Sequence, residues 1–431
     1  MLRLVAALVV AALVAAPVAA QAAKPNVVFL LADDLGFGDL RCTGHPYAQT
    51  PTIDRLAREG TLFHGFYVGG ATCCPSRTAF LTGRFPATFA RYPADFGFGD
   101  APTVTALLAA NGYRVGHVGK WHVGPTQAPG TYGIHTVRVS GGNRRDPRGR
   151  DAEVADHAVE FLRENKDRPF YLNVWFHTVH NPVNPPASFV ERFRGVTVNP
   201  LDFPAATRDR FAAHAAAGAD VSAEMRKHLG DVFQLDGQVA RILAALDELN
   251  LRGNTIVVFT GDNGPNDYGS AGPYRAAKHS LHEGGVREPL IARWPGRVPA
   301  GRTDTTSVLA GVDWLPTLCA LTGTRPPAAG LDGEDVSAAL LGAARPRAKD
   351  LFWKASAPGD TPAMRRGNWK LHQPVRAKAG PVELYDLARD PGEAENVAAR
   401  HPQVVADLGA ALRRWNDALP KRYEKGTASD D

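Results

Sequence analysis

An uncharged stretch that ends in two aspartates places the strictest limit on the fold of this chain. Asn26–Ala32 is apolar from its second residue onward and is followed directly by Asp33 and Asp34. Such a strand must be covered on both faces, as the central strands of a parallel sheet are. Because further apolar runs alternate with helical segments, we predict an α/β fold with a mostly parallel central sheet flanked by helices.

Acid and amide side chains follow two of the predicted strands. Asp33 and Asp34 come after the first strand, and Asp262 and Asn263 come after the run Thr255–Thr260. In open α/β sheets ligands gather beyond the carboxyl ends of the strands, and oxygen ligands suit Ca²⁺ or Mg²⁺ rather than zinc. Each pair taken alone would more often mark a turn.

A cysteine pair opens a second segment with chemical significance. Cys73-Cys74-Pro75-Ser76-Arg77 precedes an apolar run, which predicts a loop that enters a helix. Proline fits the first helical turn, and the N-terminus of the helix offers partial positive charge to an anion beside Cys73. The alternative is a buried or disulfide-bonded cysteine pair in an exported protein.

Two other strand ends carry lysine or histidine. The predicted strand 113–118 leads to Lys120 and His122, and the predicted strand 169–176 leads to His177 and His180. A cation and an imidazole at a strand end can hold an oxyanion, although a single lysine or histidine would more often lie on the surface. The basic run 141–150 is either solvated or contacts an anionic substrate.

The cysteine segment carries a family resemblance. Cys73-x-Pro-Ser-Arg, with Leu-Thr-Gly-Arg ending at Arg84, resembles the signature of the formylglycine-dependent sulfatases, in which the first cysteine is oxidised to an aldehyde. The resemblance runs from about Asn26 to Asn396, and Ala276 stands where glycine is frequent. That substitution puts the local loop conformation in doubt, because alanine tolerates positive φ poorly. The other segments that resemble the family are Asp33–Leu40, Gly119–His122, His180–Pro182, Phe259–Gly264, Pro273–Lys278 and Glu283–Pro289.

The resemblance implies roles for ten residues and two cofactors. Ca²⁺ is favoured over Mg²⁺, and a maturation enzyme would make the formylglycine from Cys73 after translation. In the family the aldehyde is hydrated and one of its hydroxyls attacks sulfur. His180 or Lys278 would protonate the leaving alcohol, whereas His177 is expected to be structural. The implied metal ligands are Asp33, Asp34, Cys73, Asp262 and Asn263, the implied catalytic residues are Cys73, Arg77, His122 and Asp262, and the implied sulfate-binding residues are Lys120, His180 and Lys278.

Two alternatives to a sulfatase stay open at this point. One is a phosphate or phosphonate ester hydrolase of the alkaline-phosphatase-like superfamily, which can share the metal and nucleophile positions. The other is a carbohydrate-binding relative that keeps the fold but never oxidises Cys73. A sulfated small molecule or polysaccharide is the expected substrate, but the sugar and the sulfate position cannot be inferred, because loops set them.

The length of the chain allows more than one globular unit. It has 431 residues, of which 44% are hydrophobic and 22% charged. We expect a catalytic sulfatase domain over residues 24–335. Short strand-like pieces followed by a helical run predict a small C-terminal antiparallel sheet-plus-helix subdomain over 336–420, similar to that of the family, and a tail over 421–431. Residues 200–220 are expected to form loops and short helices.

The N-terminus has the pattern of an export signal. Arg3 precedes an apolar run from Leu4 to Ala16, and Val18-Ala19-Ala20 and Ala20-Gln21-Ala22 both offer small-residue cleavage sites. This pattern predicts a signal peptide over 1–22 and an exported protein, periplasmic or secreted, with no stable membrane insertion; a retained anchor is the alternative. Four cysteines are too few for a disulfide scaffold, although a Cys42–Cys319 bridge is compatible with the sequence. The formal charge of +5 favours anionic substrates only weakly, and we expect no nucleic-acid partner.

Overall fold

The computed structural model describes residues 24–124, 128–343, 345–354, 361–374 and 380–428. The predicted signal peptide over 1–22 and the end of the predicted tail, 429–431, lie outside the described residues. The described strands are β1 (Asn26–Ala32), β2 (Thr61–Tyr67), β3 (Arg114–Gly119), β4 (Thr136–Arg138), β5 (Phe170–Trp175), β6 (Thr255–Gly261), β7 (Arg287–Arg293), β8 (Arg302–Asp304), β9 (Leu309–Ala310), β10 (Leu351–Trp353), β11 (Ala363–Arg366), β12 (Trp369–His372) and β13 (Glu383–Asp386). The described α-helices are α1 (Pro51–Glu59), α2 (Cys73–Thr82), α3 (Pro93–Phe96), α4 (Val104–Ala110), α5 (Ala152–Asn165), α6 (Ala187–Glu191), α7 (Ala205–Ala216), α8 (Val221–Glu248), α9 (Glu283–Val286), α10 (Trp314–Thr322), α11 (Ser337–Leu340) and α12 (Pro402–Ala418).

Nine of the described strands form one large sheet. Its order is β4-β3-β5-β1-β6-β7-β2-β8, and β9 pairs with β2. All neighbouring strands pair in parallel except β7, which runs antiparallel to both β6 and β2. The prediction of an α/β fold with a mostly parallel sheet is confirmed.

The alternation of side chains along β1 explains why this strand is apolar on both faces. Val27 and Phe29 belong to one core, which also contains side chains of α2, α4 and α10, whereas Val28 and Leu30 belong to another, which contains side chains of α1, α5 and α8. Every residue of β1 is buried. Burying one large apolar side chain contributes roughly 1.5–3 kcal/mol, so helices on both faces stabilise the sheet.

The register of the strands brings the predicted site segments to one edge of the sheet. Ala32 pairs with Gly261, so Asp33 and Asp262 follow their strands at the same level. Strands β3 and β5 also end side by side, because their last residues pair. Strand β2 points in the same direction as β6, since both are antiparallel to β7, and it leads to Cys73 at the start of α2.

The four C-terminal strands form a separate antiparallel sheet. Their order is β10-β11-β12-β13. Helix α12 covers one face, where Leu408 and Leu412 share a core with Met364, Leu371 and Leu384. This arrangement confirms the predicted sheet-plus-helix unit, while the exact boundary between residues 335 and 336 stays a prediction.

A buried network of charges joins the two sheets. Lys370 on β12 lies 2.8 Å from Glu283 and 3.2 Å from Glu393, and all three side chains are fully buried. Glu393 also accepts a hydrogen bond from the backbone N–H of Glu283 at 2.5 Å. Tyr67, at the end of β2, donates to Glu283 at 2.6 Å. Removing one partner of a buried ion pair typically costs about 3–5 kcal/mol, so this network ties the C-terminal sheet to the main sheet.

The segment 200–220 is more regular than the sequence predicts. Helix α7 occupies Ala205–Ala216 within it. Thr207 and Phe211 are the buried residues of this helix. A helix with so narrow a buried face has little apolar periodicity in its sequence, which is why the sequence predicts only loops and short helices for this segment.

The cysteines Cys42 and Cys319 lie on opposite faces of the main sheet. Cys42 packs against the core that contains Val28, and Cys319 belongs to the core that contains Phe29. No disulfide joins these two residues within the described part of the chain. None of the described helices combines the length and apolarity that crossing a membrane requires.

Candidate active site

A glycine and a serine shape the loop that delivers Cys73. A Cβ atom on Gly70 would lie 2.6 Å from the Cβ of Pro75, so the loop can approach α2 this closely only without a side chain. The hydroxyl of Ser76 donates to the carbonyl of Gly70 at 2.8 Å. This hydrogen bond ties the loop to the first turn of α2, of which Cys73 is the first residue.

The thiol of Cys73 is fully buried beside charged groups. Its Sγ lies 3.2 Å from Asp33 Oδ1 and 3.4 Å from Lys120 Nζ. Burial, together with the charges of Asp262 and Asp33, raises the pKa of this thiol well above its usual range. An unmodified Cys73 would therefore stay protonated, whereas nucleophilic cysteines have lowered pKa values.

The guanidinium of Arg77 holds two of the carboxylates. Its Nη2 lies 2.7 Å from Asp262 Oδ2 and 3.2 Å from Asp33 Oδ1, and its Nε donates to Asp262 Oδ2 at 3.1 Å. Nη1 donates to the carbonyl of Lys120 at 3.1 Å, and the guanidinium lies 5.1 Å from the ring centre of Trp175. The buried charge of Arg77 is therefore compensated by two carboxylates and fixed in orientation.

The carboxylates have shifted pKa values. Burial opposes the ionisation of Asp33, but the charges of Lys120 and Arg77 outweigh it and hold the pKa of Asp33 well below its usual range. Burial and the charge of Asp33 raise the pKa of Asp262 to about 7. A divalent cation beside these groups would favour the ionised form of both.

The acidic side chains are close enough together to hold one ion. Ligand atoms of Asp33, Asp34, Cys73 and Asp262 all lie within 4.8 Å of one another. Asn263 lies beside them: its Nδ2 donates to Asp34 Oδ1 at 2.8 Å, while its Oδ1 is buried with no hydrogen-bond partner among the described residues. A buried amide oxygen of this kind is costly unless a ligand satisfies it. Carboxylate and amide oxygens are ligands of Ca²⁺ and Mg²⁺, so the predicted set fits a hard divalent cation.

The residues predicted to bind sulfate flank this acidic cluster. Lys120 Nζ lies 2.8 Å from Asp33 Oδ2. On the other side, Lys278 Nζ lies 3.0 Å and His180 Nε2 lies 3.9 Å from Asp34 Oδ2. The contacts described above thus bring together the predicted site residues Asp33, Asp34, Cys73, Arg77, Lys120, His180, Asp262, Asn263 and Lys278. The remaining predicted residue, His122, is partly exposed two positions beyond Lys120 and has a φ of 54°.

A close backbone contact fixes the position of the loop that carries Lys278. A Cβ atom on Gly264 would lie 2.1 Å from the carbonyl oxygen of Gly284, so the Asp-Asn-Gly segment can approach the Glu-Gly-Gly segment this closely only with glycine at position 264. Ala276 in the same loop has a φ of 66°. This is a positive φ of the kind that glycine adopts easily and alanine adopts poorly. A positive φ costs an alanine roughly 1–2 kcal/mol, so the loop is held by its surroundings.

Asp151 holds the turn formed by residues 177–180, called here the 177–180 turn, and this role was not predicted from the sequence. Asp151 accepts hydrogen bonds from the backbone N–H groups of His177 at 2.9 Å and Thr178 at 3.0 Å. Its Oδ1 also lies 2.8 Å from His177 Nδ1, which supports the expectation that His177 is structural. The sequence predicts an amphipathic helix over 151–165, and an acidic residue at its start indicates a favourable helix terminus more readily than a contact with a distant turn.

Comparisons with known proteins show the family of this chain. Residues 25–324 match the family model Sulfatase, and residues 274–417 match the model N-sulphoglucosamine sulphohydrolase, C-terminal. Arylsulfatase A from Homo sapiens is 32% identical, over 90% of this chain and 87% of the human protein. N-acetylgalactosamine-6-sulfatase from Canis lupus familiaris is 33% identical, over 82% of this chain and 72% of the dog protein. The solved structure of Ps i-CgsB in complex with k-i-k-neocarrahexaose has a TM-score of 0.80 at 24% identity, over 94% of this chain and 96% of that chain, and supports the fold.

The family match covers both the main sheet and the segments that carry the site. The Sulfatase model alone spans more than half of the chain and includes every predicted site residue from Asp33 to Lys278. Arylsulfatase A matches along most of both proteins at more than 30% identity. With this agreement of fold, site and sequence, the chain belongs to the sulfatase family and is a sulfuric ester hydrolase.

Proposed function

We propose that this sulfatase hydrolyses sulfate monoesters of a carbohydrate with a formylglycine made from Cys73 and a divalent cation, Ca²⁺ rather than Mg²⁺. The observation that carries the proposal is the cluster of Cys73 Sγ with carboxylate oxygens of Asp33, Asp34 and Asp262, all within 4.8 Å of one another. An oxygen nucleophile at the same position would lie beside a bound cation, where its attack is favoured.

Three side chains of the protein prepare the nucleophile in this proposal. When present, the formylglycine would supply two hydroxyls as its hydrate, one to attack sulfur as the alcohol leaves and one to release sulfate and restore the aldehyde, and a cation held by the acidic cluster would polarise the sulfate. Arg77 and His122 hold the hydrate. Asp262 accepts the proton from the attacking hydroxyl, and Arg77 orients its acceptor oxygen through contacts of 2.7 and 3.1 Å.

The proposed protein ligands of the cation are four oxygen donors and the oxidised Cys73 side chain. The buried Oδ1 of Asn263, which has no hydrogen-bond partner among the described residues, supports a cation at this point. Ca²⁺ accepts six to eight oxygen ligands in flexible geometry, which allows substrate oxygens to complete the shell. The four oxygen donors are Asp33, Asp34, Asp262 and Asn263.

Cationic side chains on both sides of the cluster suit the binding of a sulfate group. Lys120 lies beside Asp33 at 2.8 Å and Lys278 lies beside Asp34 at 3.0 Å. We assign both to sulfate oxygens, because ammonium groups donate strong charge-assisted hydrogen bonds. His180, 3.9 Å from Asp34, is assigned to protonation of the leaving alcohol, with Lys278 as the alternative donor.

The proposed substrate class is a sulfated carbohydrate, acted on outside the cytoplasm. The similarity to N-acetylgalactosamine-6-sulfatase supports a sugar sulfate. We retain the signal peptide over 1–22, the catalytic domain over 24–335 and the subdomain over 336–420 as proposals. The maturation enzyme is a necessary partner in this scheme. The intact mass of exported protein tests the signal peptide, since cleavage should remove about the first 22 residues.

The decisive test uses protein made together with a formylglycine-generating system. The proteolytic peptide that contains Cys73 should have the mass of an aldehyde at Cys73 and an unchanged Cys74. Cys73→Ala should abolish hydrolysis of a sulfated sugar, whereas the matched control Cys74→Ala should retain it. Thiols at both positions despite a working maturation control would contradict the nucleophile. Faster hydrolysis of the matched phosphate ester would contradict the substrate class.

A further inference from the structure

Arg150 ends the basic run 141–150 but differs from its neighbours in burial. It is 7% exposed, whereas the side chain of Arg148 is 54% exposed and pairs with Asp146 at 2.8 Å. Burying a charge is costly unless a specific partner compensates for it. The alternative in which the basic run is solvated therefore describes Arg148 but does not describe Arg150, whose side chain is buried.

The guanidinium of Arg150 binds the backbone of a proposed active-site residue. Nη1 donates to the carbonyl oxygen of His180 at 2.7 Å. The backbone N–H of Arg150 donates to Gln234 Oε1 at 2.7 Å, which anchors the residue on the long helix α8. The Nε atom is buried with no hydrogen-bond partner in the described part of the chain. The buried side chain thus combines a hydrogen bond to the His180 carbonyl with an electrostatic interaction with the buried carboxyl of Asp231.

Arg150 and the next residue hold opposite ends of the 177–180 turn. Asp151 accepts the N–H groups of His177 and Thr178 at 2.9 and 3.0 Å, while Arg150 binds the last carbonyl of the turn. The carbonyl of Thr178 accepts the backbone N–H of Asp33 at 3.0 Å, which docks the turn on the end of β1. With both ends fixed, the His180 imidazole is held with Nε2 3.9 Å from Asp34 Oδ2.

We propose that Arg150 is a positioning residue that fixes the His180 imidazole where it can protonate the leaving alcohol. The inference rests on the proposed function, which assigns that proton transfer to His180. A misplacement of about 1 Å in a catalytic group can cost up to about 100-fold in rate. The loss should depend on the leaving group, because a poor leaving group needs the proton in the transition state and a good one does not.

The test compares Arg150→Gln with the wild type in the formylglycine-containing, Ca²⁺-loaded protein. The readout is kcat/KM for a sugar sulfate, which has a poor leaving group, and for 4-nitrophenyl sulfate, which has a good one. We expect a loss of about 10- to 100-fold on the sugar sulfate and of less than about 3-fold on the aryl sulfate. Arg148→Gln is the matched control and should change neither value. His180→Gln should show the same leaving-group dependence, and the double variant should lose little more than His180→Gln alone.

The possible results of this test distinguish the positioning role of Arg150 from the proposed function. Equal losses on both esters, or no loss on either, would overturn the positioning role of Arg150. Inactivity of the wild type on both esters would instead refute the proposed function. If Arg150→Gln does not fold, Arg150→Lys replaces it, because its ammonium can still donate to the His180 carbonyl. A smaller loss confined to the sugar sulfate is then expected, and a proportional loss on both esters would overturn the inference.

Discussion

Replacing Arg77 by methionine should destabilise the protein strongly without a bound cation and much less with one. Methionine keeps an apolar side chain against Trp175 but removes the hydrogen bonds to Asp33 and Asp262. Asp33 retains Lys120 at 2.8 Å. The side chain of Asp262 retains, among the described residues, the backbone N–H of Asp34 at 3.1 Å. Most of the loss should therefore come from Asp262.

The size of the loss follows from the burial of these groups. Removing one partner of a buried ion pair costs about 3–5 kcal/mol, and we expect the lower value at pH 7 because Asp262, whose pKa is already raised to about 7, can take up a proton. Without Arg77 that pKa rises further. A carboxyl whose folded pKa exceeds its unfolded value of about 3.9 loses stability as pH rises from that value through the folded pKa. The deficit of Arg77→Met should therefore grow as the pH is raised through neutrality.

Urea unfolding, followed by tryptophan fluorescence in EDTA and in saturating Ca²⁺, measures this effect. Ca²⁺ should reduce the deficit of Arg77→Met by more than about 1 kcal/mol, because the ion neutralises the same carboxylates. The matched control Arg148→Met removes the ion pairs of an exposed arginine with Asp146 and Asp156 and should cost less than about 1 kcal/mol in either buffer. A deficit for Arg77→Met below about 1 kcal/mol in EDTA, or one that Ca²⁺ leaves unchanged, would refute the reasoning.

Four further variants test other parts of the structure. Asn263→Ala should raise the Ca²⁺ concentration for half-maximal thermal stabilisation by at least about 10-fold; an unchanged concentration would remove Asn263 from the ligand set. Lys278→Met should weaken inhibition by inorganic sulfate about 10-fold or more, and equal inhibition would exclude a contact with sulfate. Ala276→Gly should raise the free energy of unfolding by about 0.5–1 kcal/mol by relieving the positive φ of 66°; a loss would show that the loop is unstrained. Lys370→Met should lower the free energy of unfolding by about 3 kcal/mol, and urea midpoints within error of the wild type would contradict the buried network.

The sequence predicts the site best where a buried strand ends. A strand inside a doubly covered sheet must be apolar, so the change to Asp33 or Asp262 marks both the end of the strand and the edge of the sheet. Gly264, the residue after Asn263, can also be recognised in the sequence. A Cβ atom at this position would lie 2.1 Å from the carbonyl oxygen of Gly284, so only glycine fits. These local requirements explain why the segments of Asp33 and Asp262 could be predicted without a structure, whereas the segment of Cys73 was predicted from its resemblance to the sulfatase signature.

The supporting contacts are not encoded in any local pattern. Arg150 lies in a loop whose other arginines are exposed, and its role depends on a carbonyl 30 positions further along the chain. Asp151 resembles an ordinary helix cap. The extent of helix α7 was not predicted for a related reason, since its short buried face gives little periodicity. Contacts of this kind depend on tertiary packing, and neither composition nor spacing reports them.

The buried contact of Glu283 with Lys370 and Glu393 has a consequence for chain length. Every proposed site residue lies at or before Lys278. Glu283, in the segment that follows, is nevertheless held by Lys370 and Glu393, which lie 87 and 110 positions after it. A chain that ends before residue 370 would contain all of the proposed chemistry but would leave the carboxylate of Glu283 without its lysine. Deleting the C-terminal sheet would therefore remove the buried contacts that hold the loop carrying Lys278, and it would not yield a smaller active enzyme.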